Sequence, residues 1–369
     1  MHIKEIISHI EKIAPGSLQE SFDNSGLLTG SLEKKVSSAL ITLDVTEKVI
    51  EEAIEKKCDM IIAHHPLIFK PLKQITGKDE TERILIQAIK HDIAIFAAHT
   101  NLDISAQGVN TELGKLLGLQ KISPLDQRKN LLKLSTYIPE STDNKINYPD
   151  IVREALFNAG AGSLGNYDSC SFNAPGNGTY RPGENSTPFA GKTGELHQQN
   201  EIKIEVVFPD HKKGDIIQAL TANHPYEQPA YNITLLENPH PFHGLGMVGE
   251  LEKSITEKAF LDLVKSKVNC QNIRHSPFLD KKIKKIAVCG GAGAGLIQKA
   301  AQKGADAFLT SDVKYHQFFE ASDHLFLVDG GHYETEFHTI DLIFNLLRNK
   351  MPNFAVRKTE INTNPVNYY

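Results

Sequence analysis

Apolar residues recur at helical spacing near the start of the chain. Ile3, Ile6, Ile7, Ile10 and Ile13 fall on one stripe, which predicts an amphipathic helix that Pro15-Gly16 ends. A different pattern follows. Short apolar runs alternate with helical stretches: a strand at Ser38–Leu43, a helix capped by Thr46 and running to Lys56, a strand at Met60–Ala63, a helix near 80–90, and a strand at Ile93–Ala98. Continuous apolar runs of this kind belong to strands buried on both faces. The β-α-β-α-β order predicts a right-handed parallel sheet. The last third repeats the pattern, with strands at Lys285–Cys289, Ala307–Thr310 and Leu325–Val328 and helices at 295–303 and 335–349. "KKCDMIIAHH" (56–65) and "QKGADAFLTSD" (302–312) match beyond element order, which suggests a duplicated α/β half.

The middle has another texture. Leu131–Ile138 alternates as a half-buried strand does, a helix follows near 149–159, and 160–200 is rich in Gly, Asn, Ser and Pro and reads as loop with little strand. Ile202–Phe208 alternates cleanly, 213–222 reads as a helix and Tyr231–Leu236 as a strand. The order β-α-β-β-α-β is that of the ferredoxin-like motif. The sequence therefore divides into an N-terminal half of an α/β core (1–130), an inserted α+β domain (131–238) and a C-terminal half of the core (239–369). An insertion of this kind has to return its ends to one place.

Composition narrows the function classes. A 369-residue chain with 40% hydrophobic and 23% charged residues is ordinary for a globular protein. The net charge of −5 does not favour nucleic acid as a partner. Cys58, Cys170, Cys270 and Cys289 are scattered without a CxxC pair, against both a thiolate zinc knuckle and a disulfide framework. With no long apolar run and no signal-like start, a cytoplasmic protein is expected.

The chemistry gathers where the apolar runs stop. His64 and His65 follow Met60–Ala63; His99 and Asp103 follow the strand that ends at Ala98; and Asp329-Gly330-Gly331-His332, with Glu336 four residues on, follows Leu325–Val328. Ligand sites in open α/β sheets lie at the carboxyl ends of strands. Neutral imidazole and carboxylate together suit Zn²⁺, Mn²⁺, Fe²⁺ or Co²⁺. Five ligands exceed the three that one catalytic ion takes from protein and fit two ions about 3.5–4 Å apart. One division pairs His65 with Asp103 and His64 with His332, with Glu336 between the ions. His99 is either a further ligand or the group that orients Asp103. Lys314 and His316, after Ala307–Thr310, are candidates to bind a substrate anion or shuttle protons, against the alternative of an exposed loop. "CGGAGAG" (289–295) reads equally as a phosphate-cradling turn or as a Gly-rich turn packing helix on strand. Asp23-Asn24 with Gly26 reads as a turn.

Taken together, "ESFDNSGLLTG" (20–30), "LDVT" (43–46), "AHHPLIF" (63–69), "AAHTNLD" (97–103), "GLGMVGEL" (244–251), "CGGAGAG" (289–295), "TSDVKYH" (310–316) and "DGGHYETE" (329–336) resemble the NGG-interacting-factor-three-like family, whose members are named GTP cyclohydrolase I type 2 homologues. "AGAGSLGNYDSCSF" (159–172) and "HPYEQPAY" (224–231) are similar to the PII/CutA-like insert of its longer bacterial members. The resemblance implies two intertwined, similar α/β domains with a dinuclear metal site between them. It implies His64, His65, Asp103, His332 and Glu336 as metal ligands, and a toroidal homohexamer. The function expected is a metal-dependent hydrolase acting through a metal-activated water on a nucleotide or related small molecule. The alternative is a metal-stabilised hexameric protein that binds an effector, a partner protein or nucleic acid without catalysis.

Overall fold

The computed structural model describes residues 1–140 and 146–369. The chain divides into two compact units, Met1–Gln127 with Phe242–Tyr369, and Arg128–Pro241. In chain order the strands are β1 (Gly26–Thr29), β2 (Ser38–Thr42), β3 (Met60–Ala63), β4 (Ala94–Ala97) and β5 (Gln120–Gln127), then β6 (Leu131–Pro139), β7 (Ser171–Tyr180), β8 (His197–Pro209) and β9 (Tyr231–Leu235), then β10 (Gly244–Thr256), β11 (Arg274–His275), β12 (Lys282–Val288), β13 (Ala307–Thr310), β14 (Phe326–Asp329) and β15 (Ala355–Lys358).

The first unit holds two sheets. One has the order β1-β4-β3-β2-β15, parallel except at β1. The other has the order β11-β14-β13-β12-β10-β5, with β12, β13 and β14 parallel. Every residue of β2, β3, β4, β13 and β14 is buried, as strands covered on both faces must be. The first sheet packs its Ile41, Ile62 and Phe96 face against the helices Ile3–Glu11 and Thr339–Lys350. Thr46 and Asp79 cap their helices through Val49 N (3.3 Å) and Glu82 N (2.9 Å). The matched segments 56–65 and 302–312 use their aspartates alike. Asp59 Oδ2 accepts from Ser37 N (2.6 Å) and Ser38 N (3.2 Å), and Asp306 Oδ2 from Lys284 N and Lys285 N (2.8 Å each). Each carboxylate pins the start of the neighbouring parallel strand.

Strand pairing crosses the halves. β15, from the end of the chain, lies parallel to β2, and β5, from the first half, lies antiparallel to β10. No periodicity in the sequence marks β5 or β10 as partners, because their pairing spans more than a hundred residues.

The second unit is one antiparallel sheet, β7-β8-β6-β9, with the helices Tyr148–Asn158 and Lys213–Asn223. Leu134, Ile138, Ile204, Val206 and Phe208 face its core. The expectation of little strand in 160–200 is corrected here. Ser171–Tyr180 pairs with β8 along its whole length. It is an edge strand of mostly exposed residues with Pro175, Gly176 and Gly178, so neither alternation nor β-propensity announces it; the long partner strand supplies its ladder. No helix among the described residues is long and apolar enough to cross a membrane.

Candidate metal centre

Three strand ends of the first unit meet at one point. β3 ends at Ala63, and the backbone beyond it still follows β2, with His64 N donating to Thr42 O (3.3 Å) and His65 N to Leu43 O (2.9 Å). Both imidazoles turn to the same side, with ring centroids 4.8 Å apart. β4 leads to His99 and the short helix Thr100–Ile104 that carries Asp103. β14 leads through Gly331 (φ +88°) into His332–Glu336, one helical turn that sets His332 and Glu336 on one face.

The ligand atoms form a tight cluster. Glu336 Oε2 lies 3.0 Å from His65 Nε2 and 3.1 Å from His332 Nε2, and those two nitrogens are 3.4 Å apart. His64 Nε2 lies 3.6 Å from Asp103 Oδ1 and 3.8 Å from Glu336 Oε1. At metal–ligand distances of about 2.0–2.1 Å, ligands of a tetrahedral ion stand roughly 3.3 Å apart. The groups that could hold a metal are His65 with His332 and Glu336, His64 with Asp103 and Glu336, and His64 with His65 and His99. This pairing puts His64 with Asp103 and His65 with His332, the reverse of the division the sequence suggested.

Each histidine is fixed through its other nitrogen. His64 Nδ1 donates to Ala98 O (2.8 Å), His65 Nδ1 to Asp44 Oδ1 (2.7 Å), His332 Nδ1 to Asp312 Oδ2 (2.7 Å) and His99 Nδ1 to Asp23 Oδ1 (2.8 Å). In the neutral rings this leaves every Nε2 as a lone pair, the tautomer a metal requires. Asp23 also accepts from Thr100 N (3.0 Å) and Ser25 Oγ (2.8 Å), so the predicted turn at Asp23-Asn24 is a support for His99. Asp23, Asp44 and Asp312 carry no local sequence signal as partners of the site, although each follows or precedes a strand as the candidate ligands do.

Electrostatics show what the cluster demands. Burial opposes charge on His65, yet Asp44 and Glu336 on either side raise its pKa to about 10. His332, held between Glu336 and Asp312, is raised against burial to about 9. Burial and the Glu336 charge push Asp103 up to about 7. Glu336 is held far below the ordinary carboxylate range by His332, His64 and His65, against the effect of burial. His64 Nε2, Asp103 Oδ1 and Glu336 Oε2 are buried without a hydrogen-bond partner, the oxygen of Glu336 facing two imidazole nitrogens that carry lone pairs in the neutral rings. Orphaned groups of this kind cost about 1–3 kcal/mol each. Two carboxylates and imidazole lone pairs converging in a buried site are a donor set that fits divalent cations.

The cluster opens into a cavity of about 920 Å³, lined by Phe22, Phe69, His99, Arg274, Tyr333 and Tyr368 among others. Lys314 and His316 do not line it; both are exposed, and the His316 ring rests on Tyr315 and Phe319. The Gly-rich turn does adjoin the cluster, but three of its amides are spent. Gly290 N donates to Asn110 Oδ1 (2.8 Å), Gly291 N to Thr335 Oγ1 (3.0 Å) and Gly293 N to Thr310 Oγ1 (3.0 Å), which leaves no cradle of these donors for a phosphate. Gly291 is glycine for another reason: at φ +60°, a Cβ there would fall 2.1 Å from Glu336 Oε1.

Comparison with known proteins agrees across the chain. The family model described as Duf34/NIF3 (NGG1p interacting factor 3) matches residues 1–365. A Halalkalibacterium halodurans protein named GTP cyclohydrolase 1 type 2 homolog is 42% identical over 330 residues, 89% of this chain and 87% of the relative. A Bacillus subtilis protein of the same name is 40% identical over 333 residues, covering 89% and 88%. Among solved structures, a Bacillus cereus protein related to NIF3 superposes with a TM-score of 0.84 at 36% identity, covering 100% of this chain and 99% of that one.

Proposed function

The chain belongs to the Duf34/NIF3 family, and from that premise we propose that it is a dinuclear metal-dependent hydrolase acting on a nucleotide or a related small molecule. His64 and Asp103 would hold one divalent cation, His65 and His332 the other, and Glu336 both. One observation carries this reading: His64 Nε2, Asp103 Oδ1 and Glu336 Oε2 are buried together with no hydrogen-bond partner. Zn²⁺ suits the mixed imidazole and carboxylate set best, and Mn²⁺, Fe²⁺ or Co²⁺ accept it too. Bound there, such ions polarise the substrate and bring the pKa of a water toward neutrality.

The protein's own groups would then position and exchange protons. Asp44 and Asp312 keep His65 and His332 in register. His99, turned by Asp23 and with its ring 5.3 Å from that of His64, is placed to carry a proton to the departing group. Phe22 and Phe69, both well exposed in the cavity with ring centroids 6.4 Å apart, offer faces to a flat heterocycle. For a purine nucleotide, as the relatives' name suggests, the attacked atom would be C8. The same proposal takes the second unit as a ferredoxin-like, PII/CutA-like insert and the assembly as a toroidal homohexamer, which native mass spectrometry would test.

The deciding experiment loads purified protein with Zn²⁺ or Mn²⁺, measures two ions per chain by elemental analysis, and assays a broad nucleotide panel. Turnover that chelation abolishes, that the metal restores and that Glu336→Gln lacks is expected. Metal-loaded protein that turns over nothing, and loses only melting temperature on chelation, would leave a metal-stabilised binding protein instead.

A further inference from the structure

The second unit carries a cavity of its own, apart from the metal centre. Strand register sets Tyr137, Tyr180 and Glu201 on the sheet face opposite the core that Ile138, Ile204 and Val206 enter. Over that face lies a cavity of about 540 Å³, a volume typical of small-molecule sites. Its walls are aromatic. The Tyr226 ring centroid stands 5.9 Å from that of Tyr180 and 5.7 Å from that of Phe189, with the planes inclined by 62° and 55°, so the rings meet at an angle along the cavity wall rather than stack.

The walls are pinned in place. Tyr180 Oη donates to Ala190 O (2.9 Å), and Tyr226 Oη to Glu201 Oε1 (2.8 Å). Tyr226 N donates to His224 Nδ1 (3.0 Å), whose Nε2 donates to Tyr137 O (3.0 Å). Glu227 Oε2 accepts from Thr187 N (3.1 Å), closing the loop over the sheet. Gly178 on β7 makes room for the acid: a Cβ there would fall 2.2 Å from Glu201 Oε2. Two carboxylates, Glu201 and Glu227, line the cavity against one guanidinium, Arg181. The balance of charge therefore favours a positive ligand.

We infer that this aromatic box binds a small organic cation of the ammonium type. The electron-rich faces of Tyr180, Tyr226 and Phe189 attract a cation, and Glu201 neutralises it. An anion would meet Glu201, and an uncharged ligand would forgo both attractions. The site lies wholly within Arg128–Pro241, so it stands or falls independently of the metal centre.

The test is calorimetric titration of the full chain with choline and with its uncharged isostere 3,3-dimethylbutan-1-ol. Saturable choline binding is expected, with the isostere about ten-fold weaker or worse. Glu201→Gln, which keeps shape and removes charge, should weaken choline about ten-fold with an unchanged melting curve. Gly178→Ala should weaken it as well by crowding the carboxylate. The chain has no Trp, so tyrosine fluorescence offers a second readout. If neither choline, tetramethylammonium nor spermidine binds saturably, or if the isostere binds as well as choline, or Glu201→Gln changes nothing, the inference is overturned.

Discussion

Gly291 and Asp44 show how much of the candidate metal centre rests on residues outside the candidate ligand set. Gly291→Ala places a methyl group inside the Glu336 carboxylate and 3.1 Å from His332 Nε2, on a backbone at φ +60°. The conformational cost alone is about 1–2 kcal/mol; the larger effect is on Glu336, whose carboxylate has to leave its place between His65 and His332. Elemental analysis should show this variant unable to hold its full complement of metal while far-UV circular dichroism stays native. A fully loaded variant would mean that Glu336 is not shared. Asp44→Asn keeps the shape beside His65 but removes the charge that fixes its tautomer. Metal affinity should drop by roughly 10–100-fold in a competition assay with a chelator, since orienting partners of ligating histidines typically act on that scale. Thr363 Oγ1 donates to the other oxygen of Asp44 (2.8 Å). At this scale the candidate ligands were legible because each follows an apolar run directly. Their partners were not: Asp23, Asp44 and Asp312 lie 76, 21 and 20 residues from the histidines they hold. A hydrogen bond across that separation leaves no trace in local pattern.

Elements follow the same rule. The buried parallel strands β2, β3, β4, β13 and β14 are unbroken apolar runs, so length and flanking polar residues locate them. β7 is legible only through its partner. Gly178, which weakens the strand signal, is the residue that accommodates Glu201. The antiparallel unit carries a further property that its composition hides. His211 and His224 have pKa values lowered by burial, and burial together with nearby His211 lowers His240 to about 4. A histidine whose folded pKa lies below its unfolded value, near 6.5, binds fewer protons folded than unfolded. Its contribution to stability is therefore complete above pH 6.5 and is lost as pH falls through the folded pKa. Glu205 has the same sign, lowered by Lys203, Ser135 and Lys133 to about 2, and its contribution fades below about pH 4.5. Calorimetry of the isolated segment 128–241 should accordingly give a melting temperature that is flat between pH 7 and 8 and declines steadily from pH 6.5 to 4. A maximum near pH 5 would contradict the burial assigned to these histidines.

At the scale of the molecule, the sequence divides the first unit into two halves, 1–130 and 239–369, but the sheets do not respect that division. β15 supplies the strand beside β2, and its tie is reinforced where Glu52 accepts from Glu360 N (2.8 Å). β5 leaves the first half to cover β10. Cutting between the halves would therefore strip an edge strand from each sheet and expose the fully buried Leu40 and Ile41 on one side, and Met247 and Val248 on the other. It would also divide the candidate metal ligands, leaving His64, His65 and Asp103 in one piece and His332 and Glu336 in the other. An unpaired parallel strand edge next to uncovered apolar surface is an aggregation site rather than a stable boundary. Segments 1–130 and 239–369 expressed separately should be unfolded or aggregated by size-exclusion chromatography and circular dichroism. Mixed and refolded together, they should recover native ellipticity and metal uptake, because every ladder they need is present between them. A segment 1–130 that alone gives a dispersed NMR spectrum and a cooperative melt would show that the exchanged strands are ornaments on two self-sufficient domains. The geometry argues otherwise: the site needs side chains from both sheets, and the strand exchange is what keeps the two sheets from parting.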